Sequence, residues 1–324
     1  MSSNNSTAAS SAAFNLLTFT AGAVVATVSI LVFEKFASKK KHNTNKKKDF
    51  RIVSLCPSTT LTLYDLGLGK YVVGRTKYCQ DLETRQIPAY GGTKNPNWEK
   101  IRDQAKPTHI LFNMEENDHT HLPIAQKIGP TITETPVTVQ GSRHMVQLLG
   151  LVFGVEDRAQ EICRQMDAAL EKLQTQQLAR KKQFTYLYFI WHTPAQRVVG
   201  QGTYIHALLE AAGGINLAVE TISHTERYPL LPENYTGKAD FCLLATEPFH
   251  FQEKHLAEYE PFGTCVEIIN GEMLSWSGSS TVEGLHYLTE YFREEDDYHY
   301  NLSLIHISEP TRLRRISYAV FCLK

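Results

Sequence analysis

The residues of this sequence whose types could do chemistry are mostly rings, and few of them are spaced for catalysis. His119 and His121 in "NDHTH" have the alternate spacing that lets two imidazoles share a metal ion. With no cysteine or HExxH frame beside them they read as a solvated loop. His250 and His255 are five residues apart and would lie on different faces of a helix. "GLGKYVVG" and "GQGTYI" lack both the GxGxxG spacing and the Gly-Lys-Ser/Thr of a phosphate loop, and "SWSGSST" lacks the leading glycine of a GxSxG nucleophile elbow. No catalytic residue, metal ligand or catalytic cofactor is therefore assigned, and the chain is read as a non-enzyme.

What stands out instead is the placing of large aromatic residues at strand ends and in loops. Tyr78 follows the second expected strand, Trp98 sits near Gly91-Gly92, Trp191 ends the first strand of the second half, and Trp276 precedes the last helix. Taken singly each reads as core packing before ligand contact. Together they suggest an aromatic-walled cleft, suited to a large, flat, largely apolar ligand held by stacking and a few polar contacts.

The elements that must position these rings alternate. "RIVSL", "YVVG", "THILF" and "TITET" read as strands. The helices between them start at Pro57, at "NPNWEKI", at "HLPIAQKIG" and around His144 to Phe153. Such alternation predicts an α/β fold with a mostly parallel sheet. Residues 155–182 contain neither Gly nor Pro, and Ile162, Met166, Leu170 and Leu173 recur at three- and four-residue steps, which predicts one long helix. The α/β pattern then restarts with "FTYLYFIW", a helix at "YIHALLEAAGG", strands at "FCLLAT" and "CVEII", and a helix from Thr281 towards Arg293. The expected order is a first lobe at 50–154, a helix at 155–182 and a second lobe at 183–301.

The ends are different in kind. Residues 1–11 are uncharged and polar, 12–33 form a charge-free and mostly apolar stretch, and 34–49 are a lysine-rich linker. Twenty-two residues suit a transmembrane anchor, and with the positive charge only on its far side the lobes are expected in the cytosol, with an extracytoplasmic or lumenal placement as the alternative. Asn234-Tyr235-Thr236 is a sequon, so glycosylation there in a eukaryotic host would report lumenal lobes. From Leu302, "LSLIHISEPTR" and then "ISYAVFCL" resemble the in-frame translation of a sequencing-library adaptor, and 302–324 are set aside as non-native.

Residues 50–301 carry 22 basic and 31 acidic side chains, a net of −9, which argues against a nucleic-acid partner. Their cysteines, Cys56, Cys79, Cys163, Cys242 and Cys265, form no CxxC and read as buried, inert thiols.

Four stretches, "RIVSLCPSTTLTLYDLGLGKYVVGRTKYC", "YGGTKNPNWEKI", "GTYIHALLEAAGGINLA" and "INGEMLSWSGSSTVEGL", resemble the helical-backbone substrate-binding proteins of ABC importers, the family that captures cobalamin, iron-siderophores or haem. The likeness covers about residues 50–297 and is strongest to the cobalamin-binding branch. It implies two Rossmann-like lobes with parallel sheets, joined by one backbone helix, and a rather rigid cleft without catalysis. By this resemblance Tyr78, Gly92, Thr93, Lys94, Trp191 and Trp276 face a ligand, with Thr93 standing where the branch can carry tryptophan. Glu99 and Glu233 match the acidic residues, one on each lobe, that dock onto a membrane permease. The implied ligand is cobalamin or a related corrinoid, with haem or a ferric siderophore as the alternative. A fold repurposed for protein interaction, without ligand, is the other reading left open.

Overall fold

The computed structural model describes residues 49–79, 84–180 and 183–293, and the compact unit that holds both lobes begins at Phe50. The apolar stretch 12–33, most of the linker and the adaptor-like tail lie outside the described residues. Among the described residues no helix is long and apolar enough to cross a membrane.

In the first lobe, β1 (Ile52–Ser54) leads into α1 (Pro57–Asp65), and β2 (Val72–Gly74) follows. Pro57 begins α1 where its missing N–H costs nothing, and Gly67 at φ 74° turns the chain out after Leu66. The expected helix at "NPNWEKI" is α2 (Trp98–Lys100), capped by Asn97 Oδ1, which accepts from the Lys100 N–H at 3.0 Å; it widens at once into a π-turn over Ile101–Ala105. Then come β3 (His109–Asn113), α3 (Leu122–Ile128), β4 (Thr131–Glu134) and α4 (Val139–Phe153), the last closed by Gly154 in the left-handed conformation. The four strands form a parallel sheet in the order β2-β1-β3-β4, with Ile52 opposite both Val72 and His109, and Ile110 opposite Thr131.

The long helix, α5 (Glu156–Ala179), has 24 residues and is about 36 Å long at 1.5 Å per residue. Its periodicity serves two cores in turn. Ala159, Ile162, Cys163 and Met166 pack with Leu63, Leu111 and Val146 of the first lobe, whereas Ala169 and Leu173 pack with Tyr186, Leu208 and Leu285 of the second. One apolar stripe thus crosses from lobe to lobe, and this is how a single helix joins them.

The second lobe contains β5 (Phe184–Trp191), β6 (Arg197–Val198), α6 (Tyr204–Ala211), β7 (Gly214–Asn216), α7 (Leu217–Thr221), β8 (Ala239–Ala245), α8 (Leu256–Tyr259), β9 (Gly263–Ile269), α9 (Gly271–Ser275) and α10 (Thr281–Tyr291). Its sheet runs β6-β5-β8-β9, with β7 also paired to β5; β6 is antiparallel and the other pairings are parallel.

The chain crosses back to the first lobe just before α10, in a 3-10 turn at Gly278–Ser280. There the Gly278 N–H donates to Ser142 Oγ at 3.2 Å and the Ser279 N–H to Thr62 Oγ1 at 3.1 Å, while the Tyr204 hydroxyl donates to Thr281 Oγ1 at 2.7 Å. Gly278 has φ 79°, and a Cβ would stand 2.3 Å from Thr62 Oγ1, so only glycine fits. Thr62, Ser142 and Thr281 are fully buried. Buried and mutually satisfied polar groups fix geometry where a purely apolar contact could slide, so this seam and α5 together hold the lobes in one relation.

Candidate functional site

The C-terminal ends of the parallel strands in an α/β sheet are where side chains converge on ligands. In the first lobe these ends carry Asn113, whose Oδ1 accepts from the backbone N–H groups of both Glu115 and Glu116 at 2.9 Å, holding the two carboxylates in a tight turn beyond β3. Asn117 Nδ2 donates to Leu55 O at 2.8 Å and to Thr93 O at 2.9 Å, which ties the Gly92–Lys94 loop to the end of β1. Gly91, at φ 95°, lets that loop fold back so closely that a Cβ would meet Asn95 O at 2.4 Å. Tyr78, 49% exposed, lies along the same loop: a Cβ on Gly92 would stand 3.1 Å from Tyr78 Cε2, and Lys77 Nζ sits 5.0 Å from the centre of the Tyr78 ring. Lys94 Nζ donates to Glu115 O at 2.9 Å.

In the second lobe, Trp191 at the end of β5 is 37% exposed and meets Phe249 edge to face at 6.1 Å. Trp276, just past α9, is half-buried, and its Nε1–H donates to Glu247 Oε1 at 2.9 Å; Ser275 Oγ donates to the same oxygen at 2.6 Å. Burial raises the Glu247 carboxyl to about 7, the Ser275 and Trp276 donors pull it back, and the charges of Glu272 and then of Glu116 in the other lobe add to the rise. Burial also raises Glu116, with Lys94 opposing and Glu115 reinforcing.

The two lobes meet at Glu115. Its Oε2 lies 2.8 Å from Arg227 Nη2, and its Oε1 accepts from the Tyr228 hydroxyl. Arg227 Nε donates to Gly202 O at 2.8 Å, so the guanidinium is fixed from behind by its own lobe.

The residues named from the sequence are thus unequally placed. Tyr78 and Lys94 flank Gly92 at the strand ends of the first lobe, and Trp276 is bonded to Glu247 of the second, whose carboxyl feels the charge of Glu116. Trp191 meets Phe249 in the second lobe. Thr93 is buried, and its carbonyl is engaged by Asn117. Trp98 belongs to the core around Val53, Ile101 and Phe112, edge to face with His121 at 5.8 Å, and not to the cleft. His119 Nε2 is engaged with Met114 O, and among the described residues no three His, Cys, Asp or Glu side chains cluster to hold a metal. Glu99 is exposed in the first turn of α2, and Glu233 is exposed in a turn.

Sequence reasoning missed Glu115, Arg227, Tyr228 and Glu247. The signal for two of them was present: "FNMEEN" and "LLATEP" place glutamates directly after apolar strands, at the end where ligands bind.

Two α/β lobes joined by one helical backbone carry exposed or half-buried rings and hydrogen-bonded carboxylates at their strand ends. The chain belongs to the periplasmic binding protein family, whose sequence pattern it matches over residues 52–237. This is a family of substrate-binding proteins of ABC transporters and not of enzymes. Among curated relatives, the high-affinity heme uptake system protein IsdE of Staphylococcus aureus (strain Newman) is 24% identical over 192 residues, 59% of this chain and 65% of its own length. The chain therefore spans about two thirds of that relative. Among solved structures, the periplasmic heme-binding protein RhuT of Roseiflexus sp. RS-1 in apo form aligns with a TM-score of 0.61 at 20% identity, over 75% of this chain and 97% of that one. The periplasmic vitamin B12 binding protein BtuF of Vibrio cholerae aligns with a TM-score of 0.62 at 18% identity, over 74% and 95%. At such identities the structural likeness is one of fold.

Proposed function

We propose that the cleft captures a flat tetrapyrrole, cobalamin or a related corrinoid first among them, and passes it on without chemical change. Supporting this reading, Tyr78 lies beside Gly92 in one lobe, Trp191 and Trp276 lie at element ends of the other, and the lobes touch where Glu115 meets Arg227. Exposed rings on both sides suit a planar macrocycle, because stacking uses both of its faces. Haem is the second reading, favoured by the heme-uptake and heme-binding relatives above. Both ligands absorb visible light. Full-length protein titrated with cyanocobalamin, haemin and a ferric siderophore is expected to show saturable spectral change with at least one of the first two at micromolar concentration. Change with the siderophore alone, or with none, would overturn the reading.

Release is read as delivery to a membrane permease docked through Glu99 and Glu233, two exposed carboxylates on different lobes. Family membership favours an extracytoplasmic placement of the lobes over the cytosolic one that the lysine flank predicts. Large downstream domains can override that charge bias. Asn234 is exposed, so its sequon is accessible. Expressed in a eukaryotic host, the protein is expected to gain a glycan that Asn234→Gln abolishes; a wild-type chain of unmodified mass in the membrane fraction would place the lobes in the cytosol instead.

A further inference from the structure

The contact that joins the lobes bears on which tetrapyrrole is admitted, an inference that rests on the cleft reading above. Arg227 is the cation that the second lobe presents at this junction, and its Nε is already held by Gly202 O. Its Nη2 is buried and lies 2.8 Å from Glu115 Oε2, yet off the line of a hydrogen bond, so the pair is close without using that donor well. Glu115 is itself pinned: Asn113 holds its backbone N–H, Lys94 its carbonyl, and the Tyr228 hydroxyl its other carboxylate oxygen. A carboxylate fixed in this way stands where a ligand's own carboxylate would pair with the guanidinium. Beside the pair stands the Glu116 carboxyl, whose backbone N–H is held by the same Asn113 oxygen and which Lys94 faces.

We propose that Glu115 is a specificity-determining residue: as an internal counter-ion it occupies Arg227 and turns the cleft against tetrapyrroles with carboxylate side chains, in favour of those with neutral amide side chains. Haem brings two propionates, each of which must displace Glu115 or be desolvated beside Glu116. A cobalamin periphery is rich in amides, which can donate to Glu115 and accept from Arg227 without separating them. An arginine fork binds a carboxylate strongly only when no other carboxylate already fills it. Discrimination here therefore comes from a built-in competitor as much as from attraction.

The test is a titration of full-length wild type, Glu115→Gln and the double variant Glu115→Gln/Arg227→Gln with haemin and with cyanocobalamin, followed by visible absorbance at low and high salt. Glutamine keeps an acceptor for Tyr228 and removes only the charge. Glu115→Gln is expected to tighten haemin binding tenfold or more. The gain should shrink at high salt, as a charge effect must, and vanish in the double variant, which has no freed guanidinium. A gain of less than tenfold, or one that survives in the double variant, overturns the assignment. An equal gain for cyanocobalamin does so too, because it marks a cleft that has merely loosened. Wild-type protein that takes up neither ligand overturns the cleft reading and this assignment together, whereas wild-type binding with an unaltered haemin constant in Glu115→Gln overturns the assignment alone.

Discussion

Replacing Trp276 by alanine is expected to weaken binding of the cleft's ligand by about 1–3 kcal/mol, or roughly 5- to 150-fold in Kd. The loss has two parts. The indole removes apolar area from water when a macrocycle stacks on it, and its ring plane is set in advance by the Nε1–H bond to Glu247 at 2.9 Å. Preorganisation of this kind raises affinity because no rotamer entropy is lost when the ligand arrives. The anchor can be separated from the stack. Trp276→Phe keeps a ring but gives Glu247 no donor, and should fall between wild type and alanine. Glu247→Gln keeps an acceptor for the indole and should cost less than Trp276→Ala. The measurement is Kd by visible absorbance, with thermal melts to confirm that each variant folds. An alanine variant with wild-type affinity would return Trp276 to a packing role and leave Trp191 and Tyr78 to carry the walls.

The parts of this fold and site that could be read from the sequence are those whose signal is local. Helix α5 announces itself because 155–182 lack Gly and Pro, and because an apolar step of three and four residues needs no knowledge of what it packs against. Strands β5, β8 and β9 are seven or eight residues long and hold the apolar runs "YLYFIW", "FCLLA" and "II" that mark them as strands. By contrast β6 and β7 have two and three residues, and they exist because β5 offers them a free edge, not through any propensity of "RV" or "GIN". The π-turn after Trp98–Lys100 is likewise invisible to a helical period of 3.6. Site residues divide in the same way. Tyr78, Trp191 and Trp276 are conspicuous by type, whereas Arg227 becomes a site residue only because Glu115, 112 positions earlier, lies opposite it. Thr93 stands in a loop that is ligand-facing in the family's pattern; in this chain the residue is 9% exposed and its carbonyl accepts from Asn117. "SWSGSST", dismissed as a nucleophile elbow, holds the lobes together through Gly278 and Ser279, a role that depends on the distant Thr62 and Ser142.

Glu134 gives the second large effect, on stability and not on binding. It ends β4 with only 9% of its surface exposed, accepts from the Thr59 hydroxyl and bonds the Asn113 side chain; both partners are neutral. Burial outweighs them and lifts its carboxyl from the ordinary 4.5 to about 7. Below pH 4.5 the group is protonated in both the folded and the unfolded chain, and the fold bears no penalty. Between 4.5 and 7 the fold keeps a proton that the unfolded chain has released, so stability falls as pH rises. Above 7 the loss is complete, at most about 3.5 kcal/mol, because each pH unit between the two titrations is worth about 1.4 kcal/mol. Glutamine at this position keeps the acceptor for Thr59 and has no charge to bury. Glu134→Gln is therefore expected to raise Tm over wild type by up to about 7–14 °C at pH 8, taking roughly 2–4 °C per kcal/mol for a unit of this size, and by little at pH 5. The comparison is a difference between two proteins at two pH values, so the rises at Glu116 and Glu247, present in both proteins, cancel. A gain of equal size at both pH values would mean that glutamine improves packing and that the Glu134 carboxylate is not strained by burial. A loss at both would mean that the pairing with Thr59 depends on the native carboxyl in a way that an amide cannot reproduce.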